Sequence, residues 1–449
     1  MRRWPFIAAF LVACTLLVLF FHQEASGNGR SRLLTVWGLV EDHTYRGDRW
    51  HTLTFDKSYV AGHFYSDKAP LASYVLIPFY WLWRTVEGGA QTPRDLETAH
   101  HLGELVASAI PFSIFALLIY FRLRRTSALS PSEAVWWSLL AAFGTSIFNY
   151  GNSYFSHVLA GTLFLASYLL AVERERHFAW AGLLGGCAVL TEYPLIILVG
   201  GILLLIALDP NQRKQRLLAY CAGALPAAAL FFFHNRMITG HVWQLPYAMV
   251  VDSWKPMKTN FGMRLPNAWA VWHLSFSPYR GAFFYGPLLA LLFPLLFFRF
   301  DGPNRRRWVI IGLCVIYYLF DCSYFRWDGG WCTGPRHLAP ALMLCIYEGT
   351  AALARARSPR LTRAFLALAA CGVAINLAFA STNALPSTAD FDPLFNTALP
   401  HLWSHQMNPH NLATEWAGLN PHPYSLILWA TMFVYFALQL GWLAERRAP

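Results

Sequence analysis

The sequence predicts an all-α fold, a polytopic bundle of transmembrane helices. Hydrophobic residues make up 56% of the 449 positions and charged residues 13%, against the roughly 25% charge of a soluble domain. Apolar stretches approaching the roughly 20 residues that cross a hydrocarbon core recur along the chain, separated by short polar joints. The stretches are continuous rather than alternating and rich in Leu, Ala and Phe. Of the two backbones that satisfy themselves in lipid, that pattern selects helices over barrel strands.

The formal charge of +11 raises the prospect of a nucleic-acid partner. The basic residues, however, cluster in short runs at the ends of apolar segments, the distribution that retains Lys and Arg on the cytoplasmic side and orients helices. The expected partner is the lipid bilayer, not nucleic acid. With no repeat of 20 to 50 residues and no low-complexity linker, residues 1–449 read as a single membrane domain.

The first run follows Met1-Arg2-Arg3-Trp4 and extends to Phe21. Ala25, Ser26 and Gly27 imitate a cleavage site, but the run is long for a signal-peptide core and is read as a retained helix. Fixing the basic runs inside then orders the rest. Spans are expected near Leu105 to Phe121, Ala134 to Phe148, His157 to Val172, Ala179 to Leu190, Leu195 to Leu208 and Leu217 to Phe233. Phe283 to Phe298, Val309 to Phe320, Leu338 to Leu353, Phe365 to Ala380 and Leu426 to Leu443 follow. That makes about twelve crossings with both termini cytoplasmic, provided that Leu71 to Trp83 does not cross. Tyr74, Tyr80, Trp81 and Trp83 suit that stretch to the headgroup zone, as an interfacial or half-inserted helix.

All the long loops then fall outside: residues 22–70, 234–280, 321–337 and 381–424. They carry Trp, His, Asn, Asp and Gly, so function is expected on the non-cytoplasmic face. Six cysteines (Cys14, Cys187, Cys221, Cys314, Cys345, Cys371) sit in apolar runs as buried thiols, with no metal-ligand spacing. Cys322 and Cys332 share an outer loop, where an oxidising compartment would let them pair.

The densest polar stretch is Asp56-Lys57-Ser58-Tyr59-Val60-Ala61-Gly62-His63-Phe64-Tyr65-Ser66-Asp67-Lys68-Ala69-Pro70. Lys68, just above the bilayer, is suited to a lipid phosphate. Asp67 would orient it or bind a divalent cation, and Tyr65 would hydrogen-bond a phosphate oxygen. An interfacial turn with a snorkelling lysine fits the same residues. Upstream, Glu41 and Asp42 offer carboxylates for general-base work, or simply partners for Arg30, Arg32 and Arg46.

Three further clusters lie outside: Asn149 to His157, Ser277 to Gly281, and Trp327 to His337. Arg280 and Arg336 run against the inward bias of positive charge, which asks for an anionic partner such as a phosphate or pyrophosphate. Trp331 and its aromatic neighbours would stack on a sugar. Glu192, between two apolar runs, is costly near lipid and a candidate on that ground, a paired structural Glu beside a helix break being the alternative.

The arrangement resembles the polytopic glycosyltransferases of the GT-C class, in the branch of the protein mannosyltransferases and the bacterial lipid A aminoarabinose transferase. Gly62-His63-Phe64-Tyr65-Ser66-Asp67-Lys68-Ala69-Pro70 looks like a variant of the class's acidic/Lys-Pro motif, whose lysine contacts the lipid-linked donor phosphate. In the class an acidic residue follows helix one closely. Here Ser26-Gly27-Asn28-Gly29-Arg30-Ser31-Arg32 stands there, with Glu24 before it and Glu41-Asp42 after. His157 occupies the start of a helix where a second acidic residue is expected.

The resemblance implies transfer of a sugar from a polyprenyl-phosphate carrier to an acceptor hydroxyl, on lipid, polysaccharide or protein, at the outer face of a bacterial plasma membrane. Glu41, Asp42, Asp56 or Asp67 would assist the nucleophile. Lys68, Arg280 and Arg336 would stabilise the leaving phosphate, with Tyr65, His63, His157 and Trp331 lining the substrate site. Nothing in the sequence requires a metal. The rival readings are a transporter or flippase of a lipid-linked saccharide, and a non-catalytic protein of the same fold; transport predicts matching halves and polar residues spread through many spans, and neither is visible.

Overall fold

A computed structural model describes residues 4–211, 213–251, 260–300, 302–382 and 385–446. Arg2 and Arg3, ahead of the first span, and Arg447, after the last, lie outside them. Every expected crossing falls on helical segments, with Ala134 to Phe148 and Phe283 to Phe298 each split in two.

Helix α1 (Trp4–Leu19) buries Phe6, Phe10, Cys14 and Leu17 in the main core. Near its end the Trp429 indole donates to the Leu17 carbonyl at 2.8 Å, satisfying one of the acceptors that a helix terminus leaves open. Residues 22–70, expected as an outer loop, instead contain a helix and a hairpin. Helix α2 (Gly27–Glu41) starts at Ser26, whose hydroxyl accepts from the Gly29 amide, the usual N-terminal cap. Strands β1 (Ser58–Val60) and β2 (His63–Tyr65) pair antiparallel. Ala61 and Gly62 turn between them with φ of +49° and +87°, the left-handed pair of a tight hairpin. β2 delivers the chain directly to Asp67 and Lys68.

Helix α3 (Leu71–Glu87) is amphipathic. Ala72, Leu76 and Tyr80 pack on Leu33, Leu34, Val36 and Trp37 of α2, while Phe79, Trp81, Leu82 and Val86 are exposed. That two-faced pattern matches the interfacial helix predicted for Leu71 to Trp83. Helix α4 (Pro93–Glu104) opens with a Thr92/Asp95 capping box and continues through a π-turn, Leu105–Ala109, into α5 (Ile110–Thr126).

Helix α6 (Pro131–Phe143) stops short of the expected Phe148, because the chain breaks at Gly144 before the short α7 (Ile147–Gly151). Gly144 is where a later helix crosses: a Cβ on Gly372 would collide with its carbonyl. Next come α8 (His157–Tyr168), α9 (Phe178–Thr191), α10 (Ile196–Leu208), α11 (Arg213–Thr239) and the short α12 (Ala268–Ser275). The expected span Phe283 to Phe298 is two helices, α13 (Ala282–Tyr285) and α14 (Leu289–Phe298), broken at Gly286-Pro287 where proline removes a donor. The chain finishes with α15 (Asn304–Ser323), α16 (Ala339–Ala356), α17 (Pro359–Thr382), the short α18 (Leu399–Trp403) and α19 (Leu412–Ala417), and α20 (Tyr424–Glu445).

Among the described residues five helical runs are long and apolar enough to cross a bilayer: Pro93–Thr126, Arg213–Thr239, Arg336–Ala356, Pro359–Thr382 and Tyr424–Glu445, with shorter apolar helices beside them. The protein is an integral membrane protein. At one end of the bundle Arg122 lies 3.0 Å from Glu173 and 2.7 Å from Glu348, and Arg306 lies 3.1 Å and 2.6 Å from the same carboxylates. Four residues far apart in sequence thus share one end. The polar residues of residues 22–70 and 321–337 gather at the other.

Candidate functional site

Lys68 is nearly buried, and its Nζ stands 3.1 Å from Asp56 Oδ2 and 3.1 Å from Asp67 Oδ2. Asp67 is the deeper carboxylate, 1% exposed, and its other oxygen accepts from Ser31 Oγ of α2 at 2.9 Å. Both of its oxygens are therefore engaged by protein donors. Burial works to raise the Asp56 carboxyl, but Lys68, followed by Arg336 and Arg326, outweighs it and holds Asp56 below the usual range. Burial raises Asp67 above its ordinary value and the Asp56 charge adds to this. Burial disfavours the Lys68 ammonium, yet the two carboxylates overcome it and the amine is held above its usual value. One cation shared by two acids ionises the more exposed acid more readily.

Beside this triad lies a second polar group that the sequence did not assemble. Arg32 of α2 is 1% exposed. Its guanidinium donates to the Ala69 carbonyl at 3.1 Å, to Asn28 Oδ1 at 3.3 Å, to Glu192 Oε1 at 3.0 Å and to Ser156 Oγ. Glu192 sits in the extended joint after α9, accepts from Ser156, and lies 3.6 Å from His157 Nδ1. Burial would raise its carboxyl, but His157, Arg32 and the Ser156 hydroxyl together bring it down to about 2. Arg32 thus ties the segment after Lys68 to the α9 joint. The sequence offered Arg32 as a partner for Glu41 or Asp42 and held Ser156 within the Asn149 to His157 cluster, but no local signal joined Arg32 to Glu192, 160 residues away.

Arg336 and His337 complete the wall. The Arg336 guanidinium lies 5.0 Å over the Phe155 ring and its Nε donates to His337 Nε2 at 3.4 Å, while His337 Nδ1 is 3.0 Å from Asp321 Oδ1. Arg336 makes no ion pair with a carboxylate among the described residues. Asp56, Asp67, Lys68, His157, Glu192, Trp331, Arg336 and His337 all line one cavity of about 800 Å³, together with Arg30, Arg32 and Arg326. An adjoining, mostly apolar cavity of about 350 Å³ is lined by Tyr193, Pro194, Ile196, Ile197, Tyr317 and Phe320. It shares His157, Glu192, Tyr247, Tyr324 and His337 with the first.

Several expected site residues lie elsewhere. Glu41 is spent on Arg84 of α3, at 2.7 Å, and on the Tyr80 hydroxyl, at 2.9 Å. Asp42 pairs with Arg49 at 3.5 Å on the surface. His63 pairs with Asp48 at 2.7 Å, and Tyr65 packs with Val60 and Ile238. Arg280 is fully buried: it donates to the carbonyls of Tyr279, Asp328 and Gly330 at 2.7 to 2.8 Å, holding a loop whose Gly329 and Gly330 take positive φ. None of the five lines either cavity. Cys322 and Cys332, which an oxidising compartment would let pair, are free thiols here, and Cys332 is turned toward the carbonyls of Asp328 and Gly334.

No family model and no curated protein matches the chain. Solved structures do. ArnT from Cupriavidus metallidurans in the apo state matches over 98% of this chain and 76% of its own, with a TM-score of 0.51 and 15% identity. The structure of ArnT bound to undecaprenyl phosphate matches equally, over 98% and 77%. At that identity the likeness establishes the fold, which is the GT-C-like helical membrane fold expected above.

Proposed function

We propose that this protein is a membrane glycosyltransferase that moves a sugar from a polyprenyl-phosphate donor to an acceptor hydroxyl on the non-cytoplasmic face, in a bacterial plasma membrane. The observation that carries the reading is the pair of cations, Lys68 and Arg336, on one polar cavity of about 800 Å³ that opens into an apolar one of about 350 Å³. A lipid phosphate with a sugar attached needs both environments. One of the solved structures sharing the fold holds undecaprenyl phosphate, which supports a lipid of this class.

In this reading Arg336 and Lys68 bind the phosphate and stabilise the charge that grows on it as the sugar leaves, since fixed cations in a dry site act most strongly where charge develops. The Lys68 ammonium carries three donors, two of them on Asp56 and Asp67, and offers the third to a phosphate oxygen. Asp67 is held by Ser31 as well, so Asp56 is the less tied of the two acids. With the phosphate sharing the cation, Asp56 becomes the better base and accepts the acceptor's proton, while Asp67 keeps Lys68 aimed. Glu192 is consumed by Arg32, Ser156 and His157 and serves as scaffold.

The test uses full-length protein in nanodiscs with radiolabelled polyprenyl-phosphate sugars and a crude membrane extract as acceptor. Label transfer that is lost in Lys68→Ala and Arg336→Ala, both still folded, is the expected result. Lipid-phosphate binding that depends on those residues with no donor consumed would overturn the transferase reading in favour of transport.

A further inference from the structure

Arg336 reaches the large cavity at the end of a chain of contacts that the donor reading leaves unused. Its Nε donates to His337 Nε2 at 3.4 Å, and His337 Nδ1 lies 3.0 Å from Asp321 Oδ1. An imidazole whose Nε2 accepts carries its proton on Nδ1, the atom that faces the carboxylate, so the two contacts agree on one tautomer. Asp321 is buried near the end of α15, and its other oxygen has no hydrogen-bond partner among the described residues. A buried carboxylate with so few hydrogen bonds is costly. What it secures is the orientation of one ring.

The ring is packed as well as bonded. His337 meets the His157 and Tyr324 rings edge-on, with centroids 5.7 Å and 5.6 Å away. Arg336 is confined along its length: a Cβ on Gly329 would stand 3.1 Å from its Cγ, and its guanidinium lies over Phe155. With Nε on His337, the two terminal nitrogens are the atoms that no hydrogen bond engages among the described residues. Two such N–H groups in one plane are the fork that grips a pair of phosphate oxygens.

His337 belongs to both cavities, as do His157, Glu192, Tyr247 and Tyr324, so it stands at the neck between the polar space and the apolar one. A lipid phosphate whose chain enters the apolar space carries its charge at that neck. Resting on the donor reading above, we propose that Asp321 and His337 are positioning residues for Arg336. Asp321 fixes the tautomer and plane of the His337 ring. His337 in turn holds the Nε–H of Arg336, and the guanidinium presents its terminal nitrogens to the phosphate.

The test measures undecaprenyl phosphate binding to full-length protein in nanodiscs by calorimetry, below the melting temperature of each variant. His337→Phe keeps the ring contacts and removes the acceptor; it should weaken binding roughly tenfold, the lower end for a hydrogen bond to a charged group. His337→Gln returns an acceptor, its side-chain carbonyl, and should recover most of that loss. Asp321→Asn can donate its amide to Nδ1, which moves the ring proton to Nε2 and turns that atom from acceptor to donor; binding should weaken as in His337→Phe. In an Arg336→Ala background His337→Phe should change nothing further, whereas a ring that only supported the wall, or that bound phosphate itself, would add its own loss. Wild-type binding in His337→Phe, or an equal loss in the Arg336→Ala background, overturns the proposal while the weak binding of Arg336→Ala keeps the donor reading intact. Wild-type binding in Arg336→Ala alone would remove that cation from the donor site, and the proposal with it.

Discussion

Lys68 Nζ stands 3.1 Å from Asp56 and 3.1 Å from Asp67, yet the two acids are not equivalent, because only Asp67 has a second donor in Ser31. The asymmetry predicts different consequences for isosteric changes. Asp56→Asn removes the proposed base and one of the competitors for the ammonium. Transfer should fall by about 10²- to 10⁴-fold, the usual worth of a general base, while binding of polyprenyl phosphate holds or tightens. Asp67→Asn disorients Lys68, and both transfer and binding should fall. Lipid-phosphate binding followed by calorimetry, beside label transfer, separates the two; equal loss of binding in both variants would refute the division of roles.

Arg280 and Arg336 read alike in sequence, as outer cations seeking an anion, but only Arg336 opens on the cavity. Arg336→Ala should weaken lipid-phosphate binding by roughly 10- to 100-fold, the range of a hydrogen bond to a charged group, with an unchanged melting temperature. Arg280→Ala should do the reverse. It strands three buried carbonyls, each costing about 1 to 3 kcal/mol, and its melting temperature should drop sharply. Thermal melts in one detergent check both.

The Arg32–Glu192 pair carries a pH dependence with a definite sign. The Glu192 carboxyl is brought from 4.5 down to about 2 in the folded protein. A lowered carboxyl contributes stability that is fully present above the unfolded value and is lost as pH falls through the folded one. That stability, on the order of 3 kcal/mol, should fade between pH 4.5 and 2. Glu192→Gln leaves Arg32 buried without its carboxylate, destabilising at pH 7 by about 3 to 5 kcal/mol, and should flatten the acid limb. Melting temperatures at pH 7, 5 and 3 for wild type and variant test the sign; parallel acid limbs would show that Glu192 is not the group responsible.

What was legible in the sequence followed from local rules. Continuous apolar runs located the helices, and aromatic residues suited to the headgroup zone identified α3 as interfacial. Asp67-Lys68-Ala69-Pro70 stood out because a cation and an acid immediately precede an interfacial helix. Pairing across the fold left no such mark. Glu41 looked as available as Asp56 until α3 packed on α2 and brought Arg84 to it, and Arg32 read as a partner for Glu41 or Asp42 until Glu192 arrived from 160 positions away. Helix α2 was hidden because Gly27-Asn28-Gly29 has low helix propensity, and its stability comes from burial of Leu33, Leu34 and Trp37 beneath α3.

At the opposite end of the bundle Glu348 is fully buried and joins three elements at once. It accepts from Arg122 of α5 at 2.7 Å, from Arg306 of α15 at 2.6 Å and from Tyr168 of α8 at 2.6 Å. A buried carboxylate so placed costs desolvation, and its removal exposes that cost in its partners rather than relieving it. Glu348→Gln should leave two guanidinium groups short of charge and destabilise the protein by about 3 to 5 kcal/mol. The cavity that holds Lys68 and Arg336 shares no residue with this network, so lipid-phosphate affinity measured below the melting temperature should be unchanged. A double variant, Glu348→Leu with Arg122→Leu, replaces charge by apolar volume and should recover part of the loss. If Glu348→Gln instead weakened lipid-phosphate binding at full stability, the two ends of the bundle would be coupled, and the network would be a switch rather than a clamp.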